Sequence, residues 1–474
     1  MSLQPASLSA AAVALNRFGL GARPDDEAPG DPKAWLTGQF GRFQVRPTGF
    51  DALPDAGEIV EGYRDRLRAM RRDARQSGAD GVDKDELKSL QQDFRKEVQA
   101  LYRTAVNARA ESALVTDAPF VERLVHFWSN HFCVSADNPQ TTAFAGAFER
   151  DAIRPHVLGR FHDMLVAVEQ HPAMLIYLNQ ATSVGPDSPV AERVAERNPK
   201  RKLGLNENLG RETMELHTLG VRSGYTQADV TEYSRALTGW TIGGFGPGPA
   251  GNDSPDAFEF RPGLHEPGAR TILGKRYGEP GERQALAVLA DFAASPHTAD
   301  HVAEKLARHF AGDTPPPALV ARLSATFVKS GGDLPTIYRA LIDAPEPWAP
   351  EPLKFKTPWE WTISALRGTG RRDLDGINVA GIMNQLGQPV WRPRSPAGWD
   401  DIAASWAAPD ALLRRVDLAQ RLARPAAVRE DARALGPRLM PGSLSPATAE
   451  QVARAESPTS ALALLLVSPD FLRR

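Results

Sequence analysis

Apolar residues recur at three- and four-residue spacing along most of this chain, and that period is incompatible with a half-buried strand. Residues 57–77 show it, as do residues 84–115, which read KDELKSLQQDFRKEVQALYRTAVNARAESALV. Both runs are heavily charged. The SGADGVD turn signal at 77–83 separates them, so the segment 57–115 is predicted to be a helical hairpin projecting from the body. Further helices are predicted over 119–133, over 140–180 in two pieces broken near His171-Pro172, over 282–345, and over 446–474 in one or two pieces. Long polar or Gly/Pro-rich stretches interrupt them at 183–204, 242–280 and 388–399. The second of these has room for one small hairpin around Phe258–Phe260 and Thr271–Leu273. The expected fold class is mainly α: a large multi-helix domain spanning 1–474, with long Gly/Pro-rich loops and the protruding hairpin inserted in it.

Composition narrows the function classes. Of 474 residues, 42% are hydrophobic, enough for a large core. Lys+Arg number 56 against Asp+Glu 58, so the net charge of -2 supplies no global attraction to nucleic acid or an anionic membrane. The Arg-rich stretch YRDRLRAMRRDAR in the first hairpin arm reads as a solvated helix face. Cys133 is the only cysteine, which excludes an intrachain disulfide and a cysteine-based zinc site. A metal site would have to come from His, Asp, Glu or Asn. No run of about 18 apolar residues is present to span a membrane. The N-terminus lacks a basic segment ahead of its Ala/Leu-rich stretch, and residues 8–16 read as a short helix. As written, the chain is expected in the cytoplasm. Dinucleotide, P-loop, zincin and nucleophile-elbow motifs are all missing.

The densest polar block is NENLGRETMELHTLGVRSGYTQADVTEYSRALTGWT, from Asn206 to Thr241. Taken as a helix over 206–219 capped by Asn206, it places Asn208, Glu212 and Glu215 along one face. Glu207, Arg211 and Glu215 form an adjoining stripe, which also reads as a salt-bridged surface. Glu212 and Glu215 could converge on a divalent cation, or one could serve as a base with its pKa raised by the other. His217 lies roughly 160–200° around an ideal helix from Glu215, at about 100° per residue. It is therefore either a buried strut or a site residue that needs a bend to join Glu212. Thr226 and Asp229 are spaced to cap the helix that follows.

A second polar cluster occupies VERLVHFWSNHFCVS, residues 121–135. Glu122, His126 and Asn130 share one face. His131 lies among Leu124, Phe127 and Trp128, where a histidine is usually a satisfied core residue. Its position beside Asn130 at a helix end makes it a candidate all the same. His265-Glu266, in a glycine-rich loop, is a third candidate. His297, His301 and His309 belong to an ordinary amphipathic helix, where no chemistry is expected.

Several stretches resemble the bacterial family catalogued as domain of unknown function 1800. They are Arg17-Phe18-Gly19, FWSNHFCV at 127–134, HPAMLIYLN at 171–179, the whole 206–241 block, LHEPGARTILG, QPVWRPRSPAGW and the terminal SPDFLRR. The resemblance covers nearly the whole chain. It departs from the family pattern at Asn179, where an acidic residue is expected, and at Ser129. The family implies a largely helical protein, often exported, with a protein partner encoded nearby; it implies no established reaction.

The leading expectation is a metal-assisted hydrolase or transferase. Glu212, Glu215 and His131 would bind a divalent ion, and His131, Glu212, Glu215 and His217 would carry the chemistry. Asn130, Asn208, Arg211 and His265 would hold substrate, with Arg211 gripping an anionic group. The main alternative is a non-catalytic scaffold or partner-binding protein whose polar cluster is structural. A third reading is a haem protein with His131 or His217 as axial ligand.

Overall fold

The computed structural model describes residues 7–76, 84–198, 200, 203–221, 223–243, 257–426 and 431–474. Helices dominate it. The strands among the described residues make only two sheets of two strands each. No helix among the described residues is long and apolar enough to cross a membrane.

One local signal starts six of the helices. Pro189–Arg197, Pro296–Ala311, Pro358–Gly368, Pro446–Ala453 and Pro458–Leu466 each begin with proline directly after a Ser or Thr. The hydroxyl of that residue accepts a backbone N–H of the first turn, and proline has no N–H to leave unpaired there. The same signal at Ser457-Pro458 and Ser468-Pro469 restarts the tail, which therefore holds three short helices in place of the expected one or two. His171 ends the helix Phe161–Gln170 and caps Pro172–Tyr177, its Nδ1 accepting from Ala173 N at 3.1 Å.

The two hairpin arms run over Ala56–Gln76 and Lys84–Val115; the turn at 77–83 lies outside the described residues. Tyr63 meets Phe94 edge-on across the arms, and Phe94 also receives Arg66. The base of the second arm, from Tyr102 to Leu114, is built into the apolar interior.

In the 242–280 loop the expected hairpin does not form. Phe258–Phe260 pairs with Trp240–Ile242, and Arg270–Ile272 pairs with Lys275–Tyr277. The reason is the turn Leu273-Gly274, with φ of 50° and 76°. Two left-handed residues in a row close a two-residue hairpin on the spot, so 270–272 finds its partner locally.

The polar block departs from a regular helix as well. It is α-helical only over Asn208–Glu212 and then widens to a π turn over Thr213–His217. Two more π turns occur at Val13–Phe18 and Glu149–Ile153. Such turns are rare and gather at functional or specially packed positions. The first two carry Arg17 and Glu149, and each side chain is fully buried. The predicted capping pair Thr226 and Asp229 forms a complete capping box on Gln227–Leu237.

The largest apolar cluster runs from Val13 to Ala344, and a second joins Leu15 and Ala22 to residues 355–472. A third surrounds the base of the second hairpin arm and takes in Trp359 and Trp391. The N-terminal turn thus feeds alternate side chains into two cores. A cavity lies where the three clusters meet.

Candidate functional site

The cavity has a volume of about 250 Å³. Its walls come from the end of helix Pro119–His131, the last turns of Pro296–Ala311, the start of Pro358–Gly368 and the 388–401 loop. Phe127, Val134, Met383 and three tryptophans, Trp359, Trp391 and Trp399, supply the apolar surface. Arg109, Arg123, Lys305, Arg308 and His309 supply the basic edge, facing Glu360, Asp400 and Asp401.

Most of these charges are already matched. Arg109 bonds Glu149 at 2.8 Å and stacks on Trp359 with 4.3 Å between its guanidinium carbon and the ring centre. Glu360 is shared by Arg123 and Arg474, the latter at 2.7 Å. Burial would raise the Glu360 pKa, but Arg474 and Arg123 hold it well below the ordinary carboxylate range. His309 donates from Nδ1 to Asp401 at 2.6 Å, and Asp401 also takes Lys354 at 3.1 Å. Burial keeps His309 neutral against the pull of Asp401.

Lys305 differs from all of them. It lines the cavity, partly exposed there, and among the described residues it has no hydrogen-bond or ion-pair partner. Desolvation, with added repulsion from Arg308, brings its pKa down from 10.5 to about 8.

The 388–401 loop closes the cavity like a strap. Asn130 exchanges two bonds with it, donating to Trp399 O at 2.9 Å and accepting Trp399 N at 2.8 Å. The Cys133 thiol donates to Pro396 O at 3.0 Å, and Ser135 donates to Pro393 O at 2.9 Å. Gly398, at φ +82°, makes the contact sterically feasible: a Cβ there would sit 2.4 Å from Asn130 O. Asn130→Ala should leave both polar groups of Trp399 without partners, at a cost of about 1–3 kcal/mol. A lower melting temperature and a red-shifted tryptophan emission would show it; unchanged values would sink the strap assignment.

Of the residues expected at a site, Asn130 and His131 line the cavity, whereas Glu212, Glu215, His217, Asn208, Arg211 and His265 do not. Asn130 clamps a loop, a role not anticipated for it. His131 donates from Nε2 to His217 O at 3.1 Å, and burial drives its pKa far down, so it is neutral. His217 pairs with Glu169 at 2.7 Å, both fully buried. The π turn swings its side chain inward, which the ideal-helix angle did not foresee. Glu212 is half-buried with its pKa raised, first by desolvation and in part by Glu215. Arg211 spans Glu207 and Gln227, Asn208 is exposed, and His265 donates to Thr238 O at 2.8 Å.

The expected metal centre is not supported. Among the described residues no three His, Cys, Asp or Glu side chains come together as a cation site, and Glu212, Glu215 and His131 are all described. His131 gives its Nε2 to a backbone carbonyl, and the two carboxylates lie off the cavity wall. Haem does not fit either. The cavity falls below the ~300–1,000 Å³ of drug-sized pockets, and haem is larger still.

The residues missed from sequence are Lys305, His309, Arg123, Glu360 and Asp401. A faint signal was present. His301, Lys305 and His309 form an i, i+4, i+8 stripe of basic groups on one helix, an odd choice for a face turned toward an interior.

Fold and site together define an α-helical protein containing a small cavity walled by tryptophan and basic side chains. The chain belongs to the family described as "Protein of unknown function (DUF1800)", whose model matches residues 13–473. No curated protein and no solved structure matches it. Of the stretches that carried the resemblance, FWSNHFCV and QPVWRPRSPAGW line this cavity and Arg17-Phe18-Gly19 and SPDFLRR bond to residues beside it, whereas none of the 206–241 block lines it. Arg17 fastens the 347–351 carbonyls, its Nη1 donating to Pro347 O at 2.6 Å, while Gly19 O accepts Arg123 Nε at 2.8 Å. Trp391 donates to Glu149 at 3.1 Å, and Arg474 reaches Glu360.

Proposed function

We infer that this protein binds a small anionic organic molecule in the tryptophan-walled cavity and acts on it there. One observation carries the reading: Lys305 is an ammonium on the cavity wall that makes no hydrogen bond or ion pair with any described residue, Asp401 acting on it only at longer range. Every other charged group named on that wall, apart from Asp400, has a partner, so the missing negative charge belongs to a ligand. The size agrees. A cavity of ~150 Å³ holds benzene, so 250 Å³ accommodates about one substituted ring. The metal-assisted hydrolase expected from the sequence lacks its ligand set, and we do not carry it further. For the 206–217 block the structural alternative is favoured, because His217 and Glu169 are paired and sealed.

Lys305→Met tests the reading by moving stability and binding in opposite directions. The folded pKa of Lys305, about 8, lies below its unfolded value. Folding therefore opposes the charged form in full at any pH below about 8, and this cost fades as pH rises from about 8 to the unfolded value of 10.5. Removing the charge should stabilise the empty protein at pH 7 by about 1–3 kcal/mol. The same change should abolish the rise in melting temperature that benzoate produces in the wild type. A variant that loses stability, or that responds to benzoate as the wild type does, rules the reading out.

A further inference from the structure

We propose that Lys305 is a covalent attachment point, its Nζ condensing with the carbonyl carbon of an aldehyde or ketone that also bears a carboxylate. This rests on the anion-binding reading and goes further in naming the substrate class and the bond formed.

An amine becomes a nucleophile only when it can shed its proton near neutral pH, and two conditions achieve that: a desolvated site and a neighbouring cation. Lys305 has both, with Phe127 and Trp399 among the cavity's apolar walls and Arg308 one helical turn away on the same wall. Among the described residues no carboxylate forms an ion pair with the ammonium. Asp401, the one carboxylate among the groups that act on it, is committed to His309 and Lys354. Arg308 bonds Glu304 through one nitrogen and lines the cavity as well, so its remaining donors are placed for a ligand carboxylate. Cys133, the other nucleophile on the wall, is excluded: burial pushes its thiol up to about 12 and it donates to Pro396.

The step balances without an oxidant or reductant. The Nζ lone pair of the neutral amine adds to the carbonyl carbon. One nitrogen proton passes to the oxygen to give a carbinolamine. The hydroxyl then leaves as water with the second nitrogen proton, and a C=N bond remains. Apolar walls slow the reverse hydrolysis by limiting water.

4-Formylbenzoate supplies the aldehyde, the carboxylate and a single ring. The full-length protein is incubated with it and cyanoborohydride, then digested and mapped by mass spectrometry. Terephthalate, which has a second carboxylate in place of the aldehyde, is the control for binding alone. The expected result is one reduced adduct at Lys305, formed at least tenfold faster than at any other lysine at pH 7. Its rate should rise with a midpoint near pH 8, terephthalate should suppress it, and Lys305→Met should lack it. Lys305→Arg should keep the terephthalate-induced thermal shift and form no adduct, which guards against a variant that fails to fold. Labelling spread over other lysines, with the terephthalate shift intact, overturns the imine and leaves anion binding standing. No adduct and no shift overturns both.

Discussion

Glu360→Ala is expected to be the most destabilising single substitution around the cavity, by about 3–5 kcal/mol. The carboxylate is buried between Arg123 and Arg474, and both guanidiniums would be left in the interior without an anion. The change also removes half of the capping box that starts helix Pro358–Gly368, where Glu360 accepts the Thr357 N–H at 2.8 Å. Glu360→Gln keeps that cap and the volume but not the charge, so it should recover only part of the loss. Chemical denaturation of the three proteins decides it. A loss below about 1 kcal/mol for alanine would mean that the pairs add no more than surface ion pairs do.

Acid should weaken the fold well before its carboxylates protonate. Burial lowers the pKa of His126 and His131 far below 6.5, and that of His171 and His301 to about 4. Below pH 6.5 the unfolded chain takes up protons at these residues while the folded chain resists. Their contribution is therefore complete above 6.5 and is lost as pH falls toward 4. For His171 and His301 the loss reaches up to about 3 kcal/mol each by pH 4, from 1.36 kcal/mol per unit. Glu212, with its pKa raised, acts in the opposite direction. His171 shows the cause directly, since its Nδ1 caps the helix Pro172–Tyr177 as an acceptor and a protonated ring cannot accept. Asparagine at this position caps without titrating. His171→Asn should thus flatten the slope of stability against pH by about one proton between pH 6 and 4.5. Urea midpoints across that range measure it; an unchanged slope would clear His171 of any part in acid sensitivity.

The helical class and several of the helices were legible from the sequence because they rest on local rules, whereas Pro358–Gly368, Val379–Gln385, Pro409–Ala426 and Ala432–Leu439 were not read from it. Periodicity, the residue before each proline, and the Thr226–Asp229 pair act within a few residues. The hairpin partners of Phe258–Phe260 and Arg270–Ile272 were misassigned because one tight turn, Leu273-Gly274, outranked longer-range pairing. Glu212, Glu215 and His217 looked like a site because polar density in a helical stretch is visible in one dimension. Whether such groups are paired is not. Glu169, the partner of His217, lies 48 positions away.

The sequence by itself determined a mainly helical chain, a single cysteine, and Asn130 and His131 as positions of interest. Tertiary structure alone decided where an unmatched charge remains. Lys305 is an unremarkable lysine on an amphipathic helix until Asp401 and Glu360, arriving from the C-terminal core, bind its neighbours and leave it out. An ion pair is a property of three-dimensional proximity, and so is its absence. No spacing rule along the chain reports a partner that a side chain lacks.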